Sequence, residues 1–110
     1  MLIDFSAIPE SVIPNMRGGE KEACMRTFQD GMCKIMQGRL VPGASIGLHT
    51  HETNCEVVYV LSGTRKYVYD GKDEPLSPGV CHYCPKGHAH TLINDGEQDL
   101  IFFAVVPEQP

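Results

Sequence analysis

The chain has no run of basic residues, no long apolar stretch, no low-complexity segment, no linker and no internal repeat. Each absence removes a class of function. Without a clustered basic patch, and with a net charge of −5, nucleic acid is not an expected partner. The longest apolar run, Leu100 to Val106, is far too short to span a bilayer, so no membrane partner is expected. The N-terminus carries Asp4 early and lacks a basic segment followed by an apolar core, so a signal peptide is not expected. Cysteine is present but in an odd number, 5, which suits a reducing cytoplasm better than a disulfide framework. Cys81 and Cys84 form one C-x-x-C with no second copy to complete a zinc ribbon. On a strand, positions three apart fall on opposite faces, so these two thiols are expected to diverge.

What remains is one domain of 110 residues with ordinary hydrophobic content, 42%, enough for a single core. Its most informative stretch runs from Gly43 to Gly63 and contains His49-Thr50-His51 and, five residues later, Glu56. On a strand, His49 and His51 project from one face, roughly 7 Å apart at Cα. The segment 52–55 is short and polar enough to turn the chain, and Glu56 opens an apolar run that can return antiparallel. Two imidazoles and a carboxylate facing one point are three metal ligands.

A second stretch contains Gly79, Pro85, Gly87, His90 and Asn94. The first reads G-x5-H-x-H-x4-E-x6-G and the second G-x5-P-x-G-x2-H-x3-N. Together they resemble the two motifs of the cupin family, matching at all ten positions, in order, with fifteen residues between them. The resemblance covers residues 43–94. It implies an all-β jelly-roll barrel, or double-stranded β-helix, with His90 as fourth ligand beside His49, His51 and Glu56. Such a set suits one divalent ion, Fe, Mn, Ni, Co or Zn, with positions left open for a small molecule.

The rest of the chain reads as all-β, because hairpin signals recur at short spacing with little helical periodicity. Residues 1–21, with Pro9, Pro14, Gly18 and Gly19, read as an irregular arm over a barrel of residues 22–110, with one short helical turn near 10–13. Asp30-Gly31 predicts a two-residue turn that places Cys24 opposite Gln37 and Cys33 opposite Phe28. Met25, Met32 and Met36 would share one face. Ser62-Gly63 predicts a second hairpin, with Glu56 opposite Tyr69 and Val58 opposite Tyr67. In that register Arg65, Tyr67 and Tyr69 line the ligand cavity; with a longer turn they face out. Tyr67, Tyr69 and His82 form the candidate acid–base set, and His88 reads as a rim residue.

Three function classes fit. One is a metalloenzyme of dioxygenase, isomerase or lyase type; another is a binding or sensing module without turnover; the third is a structural or storage barrel. Seven consecutive apolar residues, Leu100 to Val106, require cover on both faces, which predicts a homodimer or a covering N-terminal arm.

Overall fold

In the computed structural model, the backbone of residues 1–110 is described, together with every side chain except those of Arg65 and Tyr67. Ten strands follow one another: β1 (Ser11–Pro14), β2 (Glu22–Gln29), β3 (Cys33–Leu40), β4 (Ser45–Thr50), β5 (Glu56–Ser62), β6 (Arg65–Tyr69), β7 (Lys72–Leu76), β8 (Cys81–Cys84), β9 (Ala89–Ile93) and β10 (Leu100–Pro107). Two antiparallel sheets face each other, with strand orders β1-β2-β3-β10-β5-β8 and β4-β9-β6-β7. This is the expected jelly-roll barrel. The only helical pieces are 3₁₀ turns at Phe5–Ala7 and Met16–Gly18.

Strand β10 shows why the sheets close on each other. Its burial alternates strictly, with Leu100, Phe102, Ala104 and Val106 buried and their neighbours half-exposed. The buried set meets Leu40, Val58, Val60 and Leu92 between the sheets. Each large aliphatic or aromatic side chain removed from water there contributes about 1.5–3 kcal/mol. Asn94 is the polar member of this core and is fully buried. Its amide donates to the Leu40 carbonyl at 2.8 Å and the Gln98 carbonyl at 2.9 Å, while its oxygen accepts from Gly96 N at 3.2 Å. The second motif's asparagine therefore ties the end of β3 to the β9–β10 connection.

Several local expectations are corrected. The segment at 10–13 is strand, not helix: Ser11 to Pro14 pair with Met25 to Glu22 along β2. Extending the sheet satisfies these backbone groups without a costly isolated helical nucleus. In the first hairpin Cys24 pairs with Arg39 and Phe28 with Ile35, a shift of two. Asp30 N donates to the Cys33 carbonyl, and Asp30 Oδ1 accepts from Met32 N and Cys33 N. The loop is thus Gly31-Met32, with Asp30 preceding it as an acceptor, and Gly31 has no left-handed φ. Met25 and Met36 face the interior, whereas Met32 is exposed in the loop, so the three do not share a face.

The larger correction concerns Ser62-Gly63. β5 pairs with β10 and β8, and β6 pairs with β7 and β9, so the chain changes sheets there rather than turning back. Glu56 faces Cys84, not Tyr69; Val58 faces His82, not Tyr67. Asp70-Gly71 does make a tight hairpin, with φ of 48° and 79° as a type I′ turn requires. Cys81 is exposed and Cys84 buried, so the C-x-x-C thiols diverge as expected.

Replacing Asn94 with Ala strands the buried Leu40 carbonyl and is expected to cost about 1–3 kcal/mol in a denaturant melt. An unchanged midpoint would show that the Asn94 bonds are replaced by water.

Candidate metal centre

Strand β4 aims the histidines through an irregularity. Ile46 pairs with Leu92, but His49 pairs with His90, so one extra residue is accommodated between them. Ile46 is buried, and simple alternation from it would turn residues 48 and 50 inward. The bulge reverses this: Leu48 is 68% exposed, while His51 is buried and His49 half-buried. Glu56, first residue of β5, and His90, on β9, reach the same point from the two sheets.

The close separations are consistent. His51 Nε2 lies 2.9 Å from His90 Nε2, and His90 Nε2 lies 3.1 Å from His49 Nε2. Glu56 Oε1 is 3.2 Å from His51 Nε2, 2.9 Å from His90 Nε2 and 4.0 Å from His49 Nε2. Two ligands at about 2.1 Å from one ion, at right angles, stand about 3.0 Å apart.

The outward nitrogens fix the tautomers. His49 Nδ1 donates to the Gly47 carbonyl at 2.8 Å. His51 Nδ1 donates to Asn54 Oδ1, whose amide nitrogen donates in turn to Glu108. His90 Nδ1 lies 3.1 Å from His82 Nε2, and His82 Nδ1 donates to Glu74 Oε1 at 2.8 Å. With its Nδ1 proton committed to a carboxylate, neutral His82 accepts at Nε2, so His90 must donate from Nδ1. Each of the three ligand candidates in its neutral form therefore presents an Nε2 lone pair to the common point. Three lone pairs and a carboxylate converging in a buried place repel unless a cation joins them. The donor set fits a borderline divalent ion.

The same arrangement sets the charges. Burial drives Glu56 toward neutrality, but the His51 and His90 imidazoles beside it outweigh this and hold the carboxyl down at about 2. His51 is raised, chiefly by that bond to Glu56, so a proton there balances the carboxylate. His49 is lowered by burial. His82 is lowered, also mainly by burial, which keeps it neutral behind His90.

The centre opens into a cavity of about 230 Å³. Its walls include His49, His51 and Glu56, apolar Met25, Met36 and Phe102, and charged Arg17, Lys34 and Glu52. Two of the three candidate acid–base residues are placed elsewhere. His82 is buried behind His90, and Tyr69 lies edge-on to it with ring centroids 5.5 Å apart. Tyr69, on the His90 face of β6, directs its hydroxyl at His88 Nδ1, 3.2 Å away. His88 is half-buried and bonded to Asp70 at 2.7 Å, and it is not among the residues lining the cavity. Neither Tyr69 nor His82 lines the cavity; the side chains of Tyr67 and Arg65 lie outside the described residues. Sequence reasoning missed Asn54, Glu74, Arg17 and Lys34. Asn54, three residues after His51, was within reach of a local reading; Glu74 was not, because β7 and β8 lie in different sheets.

The Cupin domain family profile matches residues 36–106. The chain is a cupin. This cupin is 35% identical to the oxalate-binding protein of Thermotoga maritima, over 96% of its own length and 93% of the relative's. In structure it resembles a "predicted oxalate decarboxylase" from Thermotoga maritima, with a TM-score of 0.92, 33% identity and coverage of 98% and 99%. It also resembles a cupin-superfamily sugar phosphate isomerase from Silicibacter pomeroyi, with a TM-score of 0.79 and 26% identity, covering all of this chain and 77% of that one.

Losing the carboxylate behind His82 is expected to loosen the His90 tautomer. Glu74→Ala should lower affinity for Mn²⁺ by about 10–100-fold, while the fold holds, since Glu74 sits half-exposed at the surface. Equal affinities in a metal titration would reduce Glu74 to a surface residue.

Proposed function

We propose that this cupin holds one divalent metal ion on His49, His51, Glu56 and His90 and uses it to bind a small carboxylate, with lyase-type cleavage of that carboxylate as its reaction. The observation that carries the reading is the convergence of three Nε2 atoms and one carboxylate oxygen at the wall of a cavity. The names of two similar proteins, one oxalate-binding and one a predicted decarboxylase, support the ligand class. A bound ion would supply Lewis-acid polarisation of the carboxylate.

The chain's own residues do the rest. Gly47, Asn54 and the Glu74–His82 pair hold the Nδ1 protons and so keep the Nε2 atoms aimed at the common point. Met25, Met36, Ile46 and Phe102 line the cavity with apolar surface, which strengthens electrostatic contacts inside it. A second reading, binding without turnover, is favoured by the position of Tyr69 and His82, which leaves Glu52 as the carboxylate lining the cavity apart from Glu56.

Elemental analysis and calorimetry with oxalate test the proposal. Purified protein is expected to carry one equivalent of metal and to bind oxalate only when loaded; His90→Ala should lose most of the metal. Full stoichiometry in His90→Ala would refute the ligand set. Release of CO₂ from oxalate separates cleavage from binding alone. Metal affinity should fall as pH drops, beginning above the ordinary imidazole range, because His51 takes its proton there and the ion must displace it.

We further propose a homodimer, joined through the outer face of the six-stranded sheet. Ile101, Phe103 and Val105 lie on that face, beside Ile35 of β3 and Val57 and Tyr59 of β5. The N-terminal arm covers part of it, with Phe5 edge-on to Phe103 at 6.0 Å. Tyr59, Leu61 and Tyr83 stay exposed, a contiguous apolar patch of the kind that marks an interface. The methionine face does not contribute, since Met25 and Met36 point inward. Light scattering should give about twice the chain mass of 12.1 kDa. Val57→Arg should give the mass of one chain; a monomer in the unsubstituted protein would show that the arm suffices.

A further inference from the structure

The chain is acidic overall, yet among the described residues two of the three charged side chains that line the cavity apart from Glu56 are cations, Arg17 and Lys34. The third, Glu52, is exposed at the rim. Glu56 is already engaged by His51 and His90. Lys34 sits on the inward register of β3, in phase with buried Met36 and Leu40, and is half-buried there. Neither Lys34 nor Arg17 has an ion pair among the described residues. A half-buried lysine on the interior face of a barrel, next to apolar Val106 and Met36, is costly without an anion.

Register gives its distance from the centre. Lys34 pairs with Val106, and Val105 pairs with Val57, so Glu56 stands beside Val106 on the far side. Lys34 and Glu56 are thus two strands apart, about 10 Å at Cα. Between them the wall is Val106, with Phe102 and Met36 alongside.

Arg17 arrives by a different and strained route. Its backbone is left-handed, with φ 55° and ψ 28°, as is that of Asn15, with φ 52°. The segment is strapped to β4: Glu20 N donates to Ser45 Oγ, and Ser45 N to the Glu20 carbonyl, both at 2.9 Å. It lies so close that a Cβ on Gly47 would stand 2.1 Å from the Arg17 carbonyl oxygen, and one on Gly19 2.0 Å from that of Ser45. Gly47 is also the residue whose carbonyl orients His49. Left-handed non-glycine residues are strained and persist where the surroundings impose them. Here the imposed geometry sets half-buried Met16 and exposed Arg17 at the mouth of the cavity.

We propose that Lys34 and Arg17 form a second anion subsite, so that the preferred ligand is a dianion: one carboxylate at the metal, an apolar spacer against Val106, Met36 and Phe102, and a second carboxylate on the two cations. This rests on the metal reading above and deepens it: oxalate, whose two carboxylates have no spacer between them, reaches the metal alone, and longer dicarboxylates are preferred because they also reach the two cations.

Glutarate and pentanoate share a five-carbon chain and differ in the second carboxylate. Calorimetry on the Mn²⁺-loaded chain, with metal content measured in every sample, is expected to show glutarate binding at least about tenfold more tightly, the yield of charge-assisted bonds to its second carboxylate. Lys34→Met should reduce that preference strongly, and Lys34→Met with Arg17→Gln should erase it, while both variants keep stoichiometric Mn²⁺. Arg17→Gln alone, which leaves the barrel interior intact, should reduce the preference and covers the case in which Lys34→Met fails to fold. Stoichiometric Mn²⁺ with equal affinity for the two probes, or a preference that survives the double substitution, would overturn the subsite and leave the metal centre standing. A chain that takes up no Mn²⁺ would overturn both.

Discussion

Three imidazole lone pairs and a carboxylate oxygen held within 4.8 Å of one another at a largely buried point are an unfavourable arrangement by themselves, and much of this barrel exists to impose it. Each Nε2 points inward because its Nδ1 proton is claimed elsewhere: by a backbone carbonyl for His49, by Asn54 for His51, and by His82 for His90. Without a cation, a proton on His51 shared with Glu56 relieves the repulsion, which is why that imidazole is raised and the carboxyl depressed. A divalent ion would replace the proton and satisfy all four atoms at once.

That constraint explains two irregularities. The β4 bulge costs ladder hydrogen bonds, yet it is what turns His49 and His51 toward the interior while leaving Leu48 outside. The left-handed segment around Arg17 is pressed onto the same stretch of β4, against Gly47. Two of the chain's deviations from ideal geometry thus meet where one sheet touches the N-terminal segment beside the centre.

The supporting residues divide by depth. His82 is buried and acts through His90, whereas Glu74 reaches it from a half-exposed strand. Asn94 does comparable work for the fold, holding three backbone groups, of which the Leu40 carbonyl is buried. Such groups tolerate substitution poorly, because the partners they leave behind stay buried. Their energetic role is positional more than additive: the apolar core supplies the stability, and the polar set decides where the ligand nitrogens point.

The sequence by itself determined the four candidate metal-binding residues and the barrel. His49, His51, Glu56 and His90 are spaced by local rules, a period of two along a strand and a short turn, and four glycines of the two motifs, Gly43, Gly63, Gly79 and Gly87, all adopt left-handed φ that favours glycine. The alternation hidden in the apolar run of β10 emerged only on folding, because both faces of that strand are apolar. Which strands pair was decided by tertiary structure. A turn signal such as Ser62-Gly63 states that the chain changes direction, but it leaves open whether the next strand returns to the same sheet or crosses to the other; burial of two faces against each other settles that. With the crossing, Tyr69 moved from beside Glu56 to beside His90, and His82 from an unassigned face to a place directly behind a ligand. The Glu74–His82–His90 chain and the approach of Arg17 and Lys34 to one cavity join residues that no local period relates, so only the closed barrel could bring them together.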